Sequence, residues 1–423
     1  MVWDRIKKLC TNRFFANGLW LYFLQFFNTV VPLLTLPYVT RIFGAETYGS
    51  FSIAFNIYGY IQAVIEYGFV LSVTRKMALQ PDNMSLANNL FSSVFCARLF
   101  LAFIGMIVAL LYAFINWDNR EQSICLIIMS LCSFGYCMQI NWFFQGILNM
   151  KYISITTMIA RSLSVICIFI FVKSSRDIYL YSFFMTILPM IYGLIGFIIA
   201  NRKYSLHFIK VPFQAVINEL KDGFLIFTTS FSSRILTSVG ITILGLFATK
   251  YEVGVYSAIN KIPNILMLAW FPIAQILYPV SSRKMTESFA KGKKFIYKIK
   301  RKIMSLFTLA VMIICLFSKS IIKFAFGADY VFYYYWVIPL LFWLLVSINN
   351  NFLGHQILIG GGFNKSYSKC FQSAVCYSIL INVILIYFFK GNGAACAPLL
   401  SELILTFLEL KEIHKIEKKE CVK

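Results

Sequence analysis

Long apolar runs dominate the chain, separated by short polar clusters, and each run approaches the roughly 20 residues a helix needs to cross about 30 Å of hydrocarbon at 1.5 Å per residue. The spacing predicts about twelve transmembrane helices. The first six lie near Asn17–Val39, Tyr48–Ser72, Leu86–Ile115, Glu121–Gln145, Ile153–Val172 and Ile178–Ala200. The second six lie near Gly223–Thr249, Gly254–Val280, Ile303–Phe317, Val331–Leu358, Phe371–Phe389 and Ala394–Leu410. Gly and Pro inside several runs are tolerable because neighbouring helices satisfy the freed backbone groups. No soluble domain of ordinary size is left over.

The pattern repeats at about half the chain length. ETYGSFSIAFNI in the first half corresponds to YEVGVYSAINKI in the second, and VTRKM to VSSRKM. Gly49 pairs with Gly254 at an offset of 205, and Arg75 with Arg283 at an offset of 208. An even helix count per half gives both copies the same membrane orientation. The expected architecture is therefore an all-α integral membrane protein of two pseudo-symmetric six-helix bundles, residues 1–210 and 211–423. A parallel-repeat transporter places its substrate between the halves, near the midplane.

Composition strengthens the membrane assignment: of 423 residues, 59% are hydrophobic and 13% charged, against about 25% charged in an average soluble chain. The net charge of +22 would suggest nucleic acid in a soluble protein, but its placement excludes that class. With a cytoplasmic N-terminus, 27 of the 39 Lys and Arg fall in inner segments, 8 in outer loops and 4 within helices. This positive-inside bias puts both termini in the cytoplasm. Nine of the inner cations lie between Arg283 and Lys302, in a run expected to follow the anionic inner leaflet. IKKLCTNR resembles a signal-peptide n-region, but no small-residue cleavage pattern follows, so the first apolar run is expected to stay as an anchor. The eleven Cys lack zinc or redox spacing and read as small buried hydrophobes. His207, His355 and His414 are the only histidines, and there is no Walker-type phosphate loop. No enzyme activity, metal or cofactor is expected; energy would come from an ion gradient, membrane potential or substrate gradient.

Three stretches carry a family resemblance: TLPYVTRIFGAETYGSFSIAFNI, NWFFQGILNMKYISITTMIARSLSVI and GVYSAINKIPNILMLAWFPIAQILYPVSS. They resemble the polysaccharide-biosynthesis flippases, including O-antigen and capsule repeat-unit flippases of the Wzx type, within the multidrug/oligosaccharidyl-lipid/polysaccharide exporter superfamily. The resemblance spans essentially the whole chain. It departs at Gly240, where many relatives carry an acidic or amide residue, so no ion-coupling role passes to that position. It implies a flippase that moves a polyprenyl-diphosphate-linked oligosaccharide from the inner to the outer leaflet of a bacterial cytoplasmic membrane, by alternating access through a cationic central cavity. A polysaccharide polymerase or other assembly proteins would be its partners, beside membrane lipid. A multidrug antiporter of the same superfamily, or a membrane enzyme of polysaccharide assembly, is the competing reading.

A diphosphate needs cations inside the membrane, and the helices contain four. Arg98, Arg161 and Arg234 fall near mid-depth, and Lys261 lies about two turns from the outer face. A charge at the bilayer centre costs at least about 2.5–3.5 kcal/mol unless it faces water or a counter-charge. Glu66 and Glu402 are the acids clearly within helices, leaving two positive charges over. Such a surplus suits a diphosphate, held by Arg through paired hydrogen bonds and by Lys as a point charge. Bland roles stay open for each residue. Arg98 either lines a cavity or pairs with Glu66 or backbone carbonyls. Arg161, near a polar SITT start, either lines the cavity or makes structural hydrogen bonds. Arg234 stands among Thr229, Ser230, Ser233 and Thr237, which suggest a wet face. Lys261 follows Tyr256, Ser257 and Asn260 and precedes Pro263, a broken and hydrated segment. Glu66 and Glu402 are coupling or gate candidates, or simple partners. Arg41 joins them as a gate candidate, although with Glu46 it flanks the outer loop RIFGAE, where an anchor or loop-closing pair is the default. His355 either lines the cavity or bonds across helices. Trp142, Trp270, Trp336 and Trp343 are sugar-stacking candidates, most of them expected to face lipid or form an interfacial belt, as is the YVFYYYW run.

Overall fold

The computed structural model describes residues 13–421; the IKKLCTNR segment lies, but for its last residue, outside the described residues. It is 91% helix, with no strand among those residues. The first elements are α1 (Arg13–Glu66), α2 (Phe69–Leu79), α3 (Met84–Ile115), α4 (Arg120–Cys132), a 3₁₀ stretch (Ser133–Met138), α5 (Asn141–Gly146) and α6 (Met150–Phe171). A short 3₁₀ turn (Ser175–Asp177) leads to α7 (Ile178–Thr186), α8 (Leu188–Tyr204) and α9 (Phe213–Phe247). Then come α10 (Lys250–Ile259), α11 (Lys261–Glu287), α12 (Phe289–Leu316), α13 (Ser318–Phe326), a 3₁₀ stretch (Ala328–Trp336), α14 (Val337–Asn350), a π-wound stretch (Asn351–Ile359) and α15 (Asn364–Cys421).

Seven helices among the described residues are long and apolar enough to cross a membrane, or up to nine if each bent pair is one span. Two further breaks raise the number. The 54-residue α1 leaves helical geometry at Gly44 (φ 68°, ψ 176°), and the 58-residue α15 does so at Lys390 (φ 46°, ψ −122°). Each therefore holds enough helix for two crossings, which brings the count to the expected dozen or so. At Gly44 the outer loop expected around RIFGAE shrinks to one residue in the left-handed region, where glycine carries no Cβ penalty.

Two compact units form: residues 13–43 with 50–237, and residues 44–49 with 238–421. In the first unit α3 shows how sequence sets burial. Phe103, Ile107, Leu110, Leu111 and Phe114 are exposed, as lipid-facing residues should be, whereas Ala97, Ala102, Gly105, Ala109 and Ala113 are buried. Small residues let membrane helices approach closely, and Arg98 lies on that small, buried face. The crossing expected over Glu121–Gln145 is broken: α4 tightens into 3₁₀ winding, Gln139 is extended (φ −73°, ψ 114°), and α5 restarts the helix.

In the second unit the repeat-matched glycines meet. A Cβ on Gly49 would fall 1.8 Å from the Lys250 carbonyl oxygen, and one on Gly254 would fall 1.8 Å from that of Ala45. Only hydrogen fits at either position. The expectation that most of the tryptophans face lipid or form a belt is corrected: Trp142, Trp270 and Trp336 are each 1% exposed. Trp336 satisfies its indole by donating Nε1–H to Asn392 Oδ1 (2.6 Å), and Trp270 packs on Phe352 with ring centroids 4.9 Å apart. Within YVFYYYW, Tyr330 is also fully buried, while Phe332 is 74% exposed.

Candidate functional site

Three of the four intramembrane cations fall in the first unit, two of them, Arg98 and Arg234, in electrostatic range of one carboxylate, Glu66. Arg98 is fully buried. Its Nη1 donates to the carbonyls of Tyr136 (2.9 Å) and Gln139 (2.7 Å), and its guanidinium carbon lies 5.7 Å from the Phe69 ring centroid. These carbonyls flank the break between α4 and α5, where regular α-helical bonding stops; the Tyr136 carbonyl also accepts from Gln139 N–H (3.1 Å), so Arg98 adds a second donor there. Arg98 therefore bridges α3, the broken fourth span and the start of α2. Its Nε and Nη2 have no hydrogen-bond partner among the described residues.

Glu66, in the last turn of α1, is within electrostatic range of Arg98 and Arg234. Gln62 donates to its Oε1 (3.1 Å). Tyr192 on α8 is a second node: Gln139 Nε2 donates to its hydroxyl (3.0 Å), and Glu66, Tyr58, Arg98 and Arg161 are all in electrostatic range. Arg161 on α6 is half-buried, with Nε unpartnered among the described residues.

Arg234 on α9 lies over a bare piece of α1. A Cβ on Gly59 would fall 1.6 Å from Nη2 and 2.5 Å from Cζ. Its Nε is also unpartnered among the described residues, and Tyr60, Tyr136 and Glu66 are in electrostatic range. The neighbouring Thr229, Ser230, Ser233 and Thr237 are all exposed. Thr229 donates back to Leu225 O (2.9 Å), and Thr237 to Ser233 O (3.2 Å) and Arg234 O (3.1 Å), the i−4 back-bonding typical of helical threonine. An aromatic ladder climbs the same contact: Tyr67 stacks on Phe227 (4.5 Å, 8°), Phe227 contacts Phe231 (5.4 Å), and Phe231 meets Tyr60 (6.4 Å).

The remaining sequence candidates lie elsewhere. Arg41 is exposed, three residues before the Gly44 break. Lys261 belongs to the second unit, exposed at the start of α11, which follows α10 through Asn260 in helical geometry (φ −63°, ψ −14°). Glu402, also in the second unit, is held by an amide: Asn350 Nδ2 donates to its Oε2 (2.5 Å) and carbonyl (2.8 Å). His355 bonds Tyr367 (3.2 Å). Sequence reasoning passed over two polar groups. One is the triad in which Lys76 on α2 meets Glu219 (2.7 Å) and Asp222 (2.7 Å) on α9. The other is Glu409, fully buried. It lies seven residues beyond Glu402, two helical turns along one face, and that spacing is a legible signal. No three metal-ligating side chains gather among the described residues.

Comparisons with known proteins follow the same lines. Residues 14–285 match the family model described as polysaccharide biosynthesis protein. A protein of Escherichia coli (strain K12), provisionally named an O-antigen transporter, is 27% identical over 400 residues, covering 93% of this chain and 95% of that one. An inward-facing multidrug resistance MATE family transporter of the MOP superfamily shares the fold at TM-score 0.68, with 13% identity over 92% of this chain and 96% of that one. The lipid II flippase MurJ, in an inward closed conformation, shares it at TM-score 0.60, with 14% identity over 90% and 87%.

Proposed function

Because the chain belongs to the polysaccharide biosynthesis protein family, we propose that it is a flippase of the bacterial cytoplasmic membrane. Its cargo is an oligosaccharide linked through diphosphate to a polyprenyl carrier, carried from inner to outer leaflet by alternating access. The repeats 1–210 and 211–423 act as the moving parts, and both termini are cytoplasmic. The lipid tail stays in the bilayer, while the diphosphate and sugars need a polar path. The observation carrying this reading is the set of three guanidiniums in the first unit, of which Arg98 and Arg234 lie in electrostatic range of Glu66 and all three keep an unpartnered Nε among the described residues. Each unsatisfied buried donor is costly, and an anion with many acceptor oxygens removes the cost. Arg161 and Arg234 read the diphosphate, and Arg98 fixes the broken span that shapes the core. Glu66 sets the charge balance. The same surplus of positive charge argues against export of organic cations, which would call for an acidic core. Transport of this kind involves no catalytic step.

The test is binding of purified variants to a polyprenyl-diphosphate analogue and to the uncharged alcohol with the same tail. A charge-assisted hydrogen bond is worth about 1.5–3 kcal/mol, so Arg161→Ala and Arg234→Ala should each weaken diphosphate binding by about one to two decades. The alcohol should bind unchanged. Equal losses for both lipids would assign these cations to holding the bundle together.

A further inference from the structure

Glu409 is unlike every other acid described in the chain. It sits on α15 with its side chain fully buried, and neither carboxyl oxygen has a hydrogen-bond partner among the described residues. Its surroundings are mostly apolar: Cys370, Ala374, Leu405 and Leu408 form the adjacent cluster. Room for the carboxyl is made by the π-wound stretch, where a Cβ on Gly354 would fall 2.4 Å from Glu409 Oε1 and 2.5 Å from Tyr367 Cε2. Wider π winding is frequent at functional sites. Tyr367, against the same vacant Cβ position, is hydrogen-bonded through its hydroxyl to Nε2 of His355 (3.2 Å), and His355 is exposed. The charged groups in electrostatic range are Glu402 on the same helix and Lys300 on α12; Tyr367 and Cys370 are the ionisable neighbours. Glu402 is occupied by Asn350, and Lys300 lies over the Tyr297 ring at 5.1 Å.

We propose that Glu409 is a proton-binding site in the second unit, loaded from the surface along the His355–Tyr367 pair, and that its loading and unloading power the transport cycle. A carboxylate buried without donors is expensive, whereas the neutral acid fits the same space. The packed arrangement therefore holds the acid with its proton, and release requires the helices to part. Proton movement and helix packing are thereby one event. A cation such as sodium or calcium would need several oxygen ligands, whereas a proton needs a single lone pair, and no group of three His, Cys, Asp or Glu side chains gathers among the described residues. The coupling half of the proposal rests on the flippase reading, but the site itself does not.

Two measurements separate these halves, both on the full chain in phosphatidylethanolamine–phosphatidylglycerol vesicles. The first is modification by dicyclohexylcarbodiimide, which adds to neutral carboxylic acids in apolar surroundings, mapped by peptide mass spectrometry. Glu409 should be modified, less so as pH rises, and equally with or without sodium. Tyr367→Phe should delay that loss after a pH jump. Absence of modification at every pH, or protection by sodium, overturns the proton site. The second is flipping of a fluorescent lipid-linked saccharide under an imposed pH gradient. The native chain should accelerate by up to about tenfold per pH unit, the change in proton activity. Glu409→Gln keeps the shape and should lose the acceleration while retaining exchange without a gradient. Persistent acceleration in that variant overturns the coupling. If Glu409 titrates normally but the native chain flips nothing, the proton site stands and the flippase reading fails.

Discussion

Replacing Gly59 by alanine places a methyl group where the Arg234 guanidinium now lies. The new Cβ would be 1.6 Å from Nη2, and ordinary contact begins at 3.4 Å. The head group must retreat by about 2 Å, well past the 2.7–2.9 Å of a charge-assisted hydrogen bond. Two routes give the size of the effect. Loss of one such bond costs about 1.5–3 kcal/mol. Moving a unit charge from about 4 to 6 Å from its partner, at an effective dielectric of about 20, costs roughly 1.4 kcal/mol. Both predict weaker diphosphate binding by about one decade or more. The fold should survive, because alanine improves an interior helix position by about 0.5–1 kcal/mol and a displaced rotamer costs a similar amount. The assay is titration of purified protein with the diphosphate lipid and its alcohol, alongside thermal unfolding. Gly59→Ala in an Arg234→Ala background should add nothing, since both changes act on one group. Native-like diphosphate affinity in Gly59→Ala, with the fold intact, would refute a substrate-reading role for Arg234.

Two other perturbations probe the scaffold. Burial pulls the Lys76 ammonium down, but hydrogen bonds to Asp222 and Glu219 outweigh it and hold the group above its ordinary 10.5. The triad's contribution is therefore intact below pH 10.5 and fades as pH climbs through the raised value. Lys76→Met should cost about 1 kcal/mol, tempered by solvent screening, and should flatten the alkaline slope of thermal stability; an unchanged slope would discard the triad as a latch. At the glycine crossing the obstacle is backbone and cannot swing aside, so Gly49→Ala or Gly254→Ala should each cost more than about 3 kcal/mol. Thermal unfolding within about 1 kcal/mol of the native chain would contradict that close approach.

Much of this was legible because bilayer physics leaves few options. Apolar runs gave the crossings, and the Gly49–Gly254 repeat match located the pair that touches. Arg98 stood out as a charge in an apolar run, but its acceptors did not, because backbone carbonyls beside a 3₁₀ break leave no mark in the residue letters. The tryptophans misled for a related reason: a belt indole and a core indole look alike until a partner such as Asn392 is located. Glu409 went unnoticed beside the charged tail ELKEIHKIEKKE, where one more acid reads as part of the interface.

The Arg98 contact also has a bearing on time. Its two acceptors are 38 and 41 residues further along the chain. At about 5–20 residues per second of synthesis, Arg98 is made roughly 2–8 s before the carbonyls that will hold its guanidinium exist. During that interval the arginine has no protein ligand from the fourth span, and release into lipid alone would cost at least about 2.5–3.5 kcal/mol. The third and fourth spans are therefore best delivered to the membrane as a pair, with the insertion machinery or its water holding the charge until the ribosome catches up.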